Sequence, residues 1–197
     1  MNENILRKIT ALGGNTDAVC REKSFVENWQ SIRFDCYLYD KDWDVYGIDE
    51  FYGKHKDSYQ HDKTTFYKDL IEHYFSAHEL AYGQYFFRDW IFTPFKPGSE
   101  DHGELEDLVD EDEVRESVDG TRMEFICLFY SYGYPDHYFI CITDPDPLNP
   151  IVYGTDHEVY FQEIYNKGSL ENFLDRFMTK EEFSEVVKGY LDEKFGE

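Results

Sequence analysis

Residues 123–143, MEFICLFYSYGYPDHYFICIT, decide the fold. Two apolar runs rich in aromatic and β-branched residues, 123–130 and 137–143, flank a turn signal at Gly133-Tyr-Pro-Asp136. This order predicts an antiparallel hairpin. Because both runs are apolar at successive positions, both faces of each strand are expected to be covered. The hairpin is therefore predicted to lie in the middle of a sheet.

On the C-terminal side of the hairpin, the sequence predicts two further strands and two helices. A loop with three prolines at 144–150 precedes strand signals at 151–153 and 158–165, and Gly168 is expected to end the sheet. Ser169 is expected to cap a helix whose apolar positions continue to Met178. Thr179 and Glu182 then form a capping box for a last helix.

On the N-terminal side, periodicity again predicts helices around strands. The predicted elements are a helix at 5–12 that ends at Gly13-Gly14, a weak helix from Thr16 or Asp17 to Trp29, strand-like pieces near 34–38, a helix at 64–75 and one or two strands within 82–95. Helices at both ends of an antiparallel meander indicate an α+β fold. The length of 197 residues fits a single domain.

The net charge restricts the class of partner. The chain has 42 Asp or Glu against 19 Lys or Arg, a formal net charge of −23. Nucleic acids and anionic membranes would repel such a chain, so a charged partner is expected to be basic. With 17 Phe, 17 Tyr and 3 Trp the composition is that of a folded chain. The lack of a long apolar stretch, and of one within residues 1–14, leads us to expect a cytoplasmic protein.

The acidic charge is concentrated in residues 99–119. This acidic segment carries eleven Asp or Glu against one Lys or Arg, which is Arg115. It is either a solvated loop without a function or a surface on which a basic partner lands. The side chains predicted to bind such a partner are Glu106, Asp107, Asp110, Glu111, Asp112 and Glu113.

Two groups of aspartates raise the question of a metal. Asp40, Asp42 and Asp44 have the spacing that opens a calcium loop, but Val45 and Phe51 occupy the positions that need Gly and Glu. The second group could lie at one end of the sheet and serve either as turn residues or as ligands, and it is our secondary candidate surface. Its members are Asp144, Asp146, Asp156 and His157.

No motif in the sequence specifies a reaction. The seven histidines include no H-E-x-x-H pair, and nucleotide-binding and nucleophile-elbow motifs are absent. The four cysteines form no C-x-x-C pair and are expected to be reduced and mostly buried. We therefore expect no metal, no cofactor and no catalytic residue.

The order of elements over residues 123–178 resembles the SUKH superfamily, which includes fungal regulators of cell-wall assembly and bacterial toxin-immunity proteins. The resemblance rests on the strand–turn–strand unit, the Asp144 loop, the strand at 150–153, the Asp156-His157 turn, the strand at 159–164 and a helix opening with Ser169, Phe173 and Leu174. It implies a single domain with a curved, mainly antiparallel sheet between N- and C-terminal helices. Residues 120–191 would form the family-like core, and residues 1–60 are a candidate N-terminal extension.

The resemblance also implies a function in binding a protein and not in catalysis. Bacterial members of the superfamily typically neutralise a cognate toxin, often a basic enzyme, and a charge of −23 suits that task. Two alternatives stay open. One is a regulatory scaffold of the kind that the fungal relatives suggest, and the other is a metal-dependent enzyme built on Asp144, Asp146, Asp156 and His157.

Overall fold

The structure, a computed structural model, describes residues 1–76, 80, 82–134 and 136–196. Seven helices and nine strands lie within these residues. The helices are α1 (Glu3–Ala11), α2 (Phe25–Ser31), α3 (Ile48–His61), α4 (Lys63–Phe75), α5 (Glu111–Arg115), α6 (Leu170–Leu174) and α7 (Lys180–Phe195). The strands are β1 (Gly14–Asn15), β2 (Arg33–Phe34), β3 (Leu38–Tyr39), β4 (Gln84–Phe87), β5 (Ile91–Phe92), β6 (Phe125–Ser131), β7 (His137–Cys141), β8 (Ile151–Thr155) and β9 (Tyr165–Ser169).

The main sheet is antiparallel and curled, in the order β3-β4-β6-β7-β8-β9, with β5 also paired to β6. Strands β6 and β7 form the predicted hairpin, with Phe125 opposite Cys141 and Ile126 opposite Ile140. The hairpin lies inside the sheet, as its apolar sequence predicts. Pro135 of the predicted turn lies outside the described residues.

Both faces of the hairpin are buried, because its side chains alternate between two cores. Ile126 and Ile140 pack with α1 and α6 on one face. Phe125 and Phe139 pack on the other face with apolar residues of the acidic segment, such as Val114. A third core, rich in aromatic rings, joins α3, α4 and α7. The predicted α+β class, with helices flanking the sheet at both ends of the chain, is confirmed.

Helices α2, α6 and α7 each begin directly after a residue whose side chain caps the helix. Thr179 and Glu182 form the predicted capping box, with hydrogen bonds of 2.8 and 3.2 Å. Ser169 caps α6, but that helix ends at Leu174, before Met178. Helix α2 begins after Ser24 and not at Thr16, since Ser24 and Glu27 form a second capping box. Helix α3 was not predicted.

The predicted strand at 158–165 is wrong. The chain turns there instead, because Asp156 Oδ1 accepts the Glu158 N–H at 2.7 Å and Thr155 Oγ1 accepts the Phe161 N–H at 2.8 Å. Phe161 adopts a left-handed backbone with φ 60°, which no strand allows. The last strand, β9, begins only at Tyr165.

Residues 1–60 are built into the same architecture. Ile5 and Ile9 of α1 and Trp29 of α2 are fully buried in the core that also contains the β6–β7 hairpin. Leu38 pairs with Tyr85, which makes β3 a strand of the main sheet. Residues 1–60 therefore supply side chains to the core around the hairpin and one strand to the main sheet.

Candidate functional site

The acidic segment is attached to the core along its length. Leu105, Val114 and Val118 are buried beneath it, against the same face of the sheet as Phe125. Asp101, also buried, accepts the Thr93 N–H at 2.7 Å and the Thr93 hydroxyl at 2.9 Å. Burial alone would raise the pKa of Asp101, but these hydrogen bonds outweigh it and place the pKa below its usual value. The segment is therefore an anchored surface and not a frayed loop.

Five of the six predicted partner-binding side chains are exposed, and Glu111 is half-buried. Glu111 forms an ion pair with Arg115, and Glu113 accepts the Asp110 N–H at 2.7 Å, so both carboxylates help to hold α5. Asp107 has φ 69°, a backbone region that Asp tolerates better than most residues. Within the described part of the chain, the carboxylates of Glu106, Asp107 and Asp112 form no ion pair or hydrogen bond and face solvent.

The four residues of the secondary candidate surface do not come together. Strands β7 and β8 are antiparallel, with His137 opposite Thr155 and Ile140 opposite Val152. Asp144 and Asp146 follow the end of β7, whereas Asp156 and His157 follow the end of β8. The two pairs therefore lie at opposite ends of a five-residue strand, roughly 15 Å apart. The possibility that one end of the sheet collects all four is therefore not realised in the structure.

Asp144 and Asp146 act as turn residues. Asp144 accepts the backbone N–H of Asp146 at 2.8 Å and that of Ile151 at 3.0 Å, which closes the loop between β7 and β8. Asp146 accepts the Leu148 N–H at 3.1 Å. These bonds are the usual chemistry of Asp in turns, and they use the oxygens that a metal would need.

At the other end, Asp156 and His157 lie beside Asp136. His157 Nδ1 is 3.5 Å from Asp156 Oδ1 and 3.9 Å from Asp136 Oδ1, distances of ion pairs and not of short hydrogen bonds. Burial, followed by the charge of Asp156, raises the pKa of Asp136. Among the described residues this is the one group of three whose ligand atoms come within 4.8 Å of one another. Acidic surface groups of this size are common without a metal.

A cleft at the same end of the sheet joins residues that are far apart in the sequence. It has a volume of about 440 Å³ and lies where β3 ends, β4 begins, β6 ends and β7 begins. We call it the Asp–Tyr cleft. Its lining consists of Asp40, Asp42, Trp43, Asp44, Tyr46, Tyr82, Gly83, Tyr85, Ser131, Tyr132, Tyr134, Asp136 and Arg176.

The aspartates considered for a calcium loop form one wall of this cleft. Asp40 accepts a hydrogen bond from Arg176 Nε at 2.5 Å and one from the Asp42 N–H at 3.0 Å. Its carboxylate is therefore turned inward to a guanidinium, while Asp42 and Asp44 line the cleft. Val45 has φ 55° at the position where a calcium loop requires Gly. Of the three alternating aspartates, Asp40 therefore pairs with Arg176, while Asp42 and Asp44 line the cleft without a basic partner among the described residues.

The rim of the cleft is aromatic. Tyr134 is 74% exposed, and Tyr46 and Tyr82 are each 47% exposed, with ring centroids 5.4 Å apart. The charge of Asp44, 3.4 Å from the Tyr46 hydroxyl, raises the pKa of Tyr46. Aromatic residues, tyrosine among them, are enriched at protein-binding surfaces. The high aromatic content of the sequence is consistent with such a rim, but it does not show where the rings lie, because Tyr46, Tyr82 and Tyr134 come from three separate segments.

A comparison with protein-family models, curated proteins and solved structures finds no match to the chain. The resemblance to the SUKH superfamily therefore stays a prediction. Within the described residues, no helix is both long and apolar enough to cross a bilayer.

Proposed function

We propose that the chain is a non-catalytic protein-binding domain, and specifically an immunity protein that neutralises a basic toxin domain. The observation that carries the proposal is the anchored acidic segment. Its apolar residues are buried in the core, while Glu106, Asp107 and Asp112 face solvent without internal partners among the described residues. A fixed array of carboxylates is what a basic protein surface would need for a specific complex.

The acidic segment would act mainly on the rate of association. Opposite fields steer two proteins together and raise association rate constants toward about 10⁸–10⁹ M⁻¹s⁻¹ at low salt. A toxin that binds nucleic acid must carry a basic cleft, and carboxylates compete there with phosphates. A net charge of −23 supports this mode of inhibition.

The two alternative functions differ in their support. The metal-dependent enzyme is less well supported, because Asp144 and Asp146 lie at the opposite end of strand β8 from Asp156 and His157, so the four residues do not form one ligand set. A regulatory scaffold would also bind proteins, but it would not protect a cell from a toxin. The experiment must therefore measure protection and not binding alone.

The test of the proposal is a growth assay. The polypeptide encoded beside this chain is expressed in a bacterial host with and without the chain. We expect growth arrest without the chain and rescue with it. A neighbouring polypeptide that is harmless, or a toxic one that the chain neither binds nor neutralises, would overturn the immunity proposal.

A matched pair of variants tests the surface. The segment variant, Glu106→Lys/Asp107→Asn/Asp112→Lys, leaves Glu111 and Glu113 to hold α5, and Asn keeps the left-handed backbone at position 107. The control, Glu22→Lys/Asp17→Asn/Asp57→Lys, makes the same change of charge at exposed positions elsewhere. The segment variant should associate with the toxin about 10–100-fold more slowly at low salt, with a shallower salt dependence. Equal association rates for the two variants would show that the acidic segment is only a solvated surface with no role in binding.

A further inference from the structure

We infer that the Asp–Tyr cleft binds an arginine side chain presented by a partner protein. The inference rests on the proposed function, because it assumes a basic protein partner. It goes further in placing one contact of the complex outside the acidic segment, in a cleft of about 440 Å³. That volume lies within the range of sites that take small ligands or single side chains.

The charges in the cleft do not balance. Arg176 neutralises Asp40, but no Lys or Arg of the described residues lies within 4.0 Å of the carboxylates of Asp42, Asp44 or Asp136. His157 Nδ1 is 3.9 Å from Asp136, and the charge of the more distant Lys167 also favours the ionised form of the Asp136 carboxyl. The cleft therefore has a net negative charge that a cation from outside could neutralise.

The aromatic rim selects the type of cation. Tyr46, Tyr82 and Tyr134 hold three exposed ring systems at the mouth of the cleft, where a flat cation could lie over a ring face. A guanidinium is planar, stacks on aromatic rings and donates two parallel hydrogen bonds to a carboxylate. A lysine ammonium is compact, strongly hydrated and lacks the flat face. The lining therefore favours arginine over lysine.

The protein already binds one guanidinium in this manner. Arg176 donates to Asp40 while its guanidinium lies 5.6 Å from the ring centre of Tyr85, 5.9 Å from Tyr138 and 5.3 Å from Phe173. Arg176, Asp40 and Tyr85 all line the cleft. The proposed arginine would meet a second set of the same groups, with carboxylates on one side and rings on the other.

Trp43 places beside the cleft a polar group that is unpaired within the described part of the chain. It is 8% exposed, and its indole N–H finds no acceptor among the described residues. The Nε1 edge of the indole faces Gly83, which also lines the cleft. The Nε1 atom is itself buried against Gly83, so the indole N–H is a reporter of binding in the cleft and not a contact for the ligand. Among the described residues Asp40, Asp42 and Asp44 do not bring three metal-ligand atoms together, whereas Asp136 does so with Asp156 and His157 at the edge of the cleft.

The test is an NMR titration of the full chain with three small probes. N-acetyl-arginine methylamide should shift the indole N–H signal of Trp43 and the backbone signals of Gly83 and Asp136, with a Kd on the order of 1 mM. N-acetyl-lysine methylamide should bind at least about 3-fold more weakly. The citrulline analogue keeps the shape of arginine without the charge and should give no saturable shift up to about 20 mM.

Two variants locate the binding. Asp42→Asn/Asp44→Asn should weaken the arginine probe about 5-fold or more, while Glu106→Gln/Asp112→Asn in the acidic segment should leave it unchanged. Equal binding of the lysine probe, binding of the citrulline probe, or an absence of shifts in the cleft would each overturn the inference. None of these results would affect the growth assay, so the failure of the cleft and the failure of the immunity proposal are distinguishable.

Discussion

The ion pair between Arg176 and Asp40 connects the end of the sheet to the turn between α6 and α7. Its removal should lower the free energy of unfolding by a measurable amount. Asp40 is 8% exposed, and the Arg176 side chain is one-third exposed. Arg176→Met removes the cation but keeps much of the apolar length of the side chain. Because this substitution leaves the buried Asp40 carboxylate without its counter-ion, we expect it to destabilise the fold more than Asp40→Asn does.

The magnitude follows from the geometry. At about 4 Å and an effective dielectric constant of about 20, two unit charges attract by about 4 kcal/mol. Water at the exposed third of the guanidinium screens part of this, so we expect Arg176→Met to cost about 2–4 kcal/mol. Asp40→Asn keeps an oxygen for the Asp42 N–H and should cost about 1–2 kcal/mol. The double variant should reveal a coupling energy of about 2 kcal/mol.

The assay is urea unfolding of the wild type, the two single variants and the double variant. Lys41→Met is the matched control, because Lys41 forms an exposed ion pair with Glu182 at 3.2 Å in the same region. It should change the free energy of unfolding by less than about 0.5 kcal/mol. A coupling energy between Arg176 and Asp40 below about 0.5 kcal/mol would refute the reasoning. Asp40 would then count as one more uncompensated carboxylate of the cleft.

Three other substitutions test separate parts of the structure. Phe173→Ala should cost about 3–5 kcal/mol in urea unfolding, since the ring is 1% exposed against the sheet, and a loss under about 1 kcal/mol would contradict that packing. Gly83→Ala should cost about 2–4 kcal/mol because φ is +85° and a Cβ would lie 2.1 Å from Trp43, whereas Gly189→Ala, where a Cβ meets nothing, should stabilise by about 0.5–1 kcal/mol. Asp136→Asn should raise the thermal midpoint at pH 7 and weaken the arginine probe. Burial raises the pKa of this carboxyl, so wild-type stability falls as the pH rises from the unfolded pKa of about 3.9 to the folded pKa. A difference in thermal midpoint between the variant and the wild type that is the same at pH 3 and pH 7 would contradict this prediction.

The elements predicted well from sequence are those whose signals are local. The capping box of Thr179 and Glu182 and the apolar runs of the β6–β7 hairpin need no knowledge of distant residues, and both appear as predicted. The strand at 158–165 failed because two side chains, Asp156 and Thr155, turn the backbone back on itself. An apolar run alone does not reveal such a turn.

The helix α3 and the Asp–Tyr cleft were missed for related reasons. Helix α3 buries tyrosine and phenylalanine within a polar, charged sequence, has a glycine at its N-cap and bends at His55, so its period is weak. The cleft gathers residues that are far apart in sequence, such as Tyr46 and Tyr134, through the order of strands in the sheet. The predicted hairpin also left open that Asp144 and Asp156 meet, but the antiparallel register of β7 and β8 separates them.

The four cysteines have a practical consequence for measuring any of these complexes. Cys36, Cys127 and Cys141 are buried, and burial raises the pKa of Cys127 to about 12, so these thiols will react slowly. Cys20 is exposed, and Asn28 holds its backbone with two hydrogen bonds of 3.0 Å. A maleimide dye should therefore attach at one position and tumble with the whole molecule. Fluorescence anisotropy of the natural chain could then follow partner association without any engineered label site.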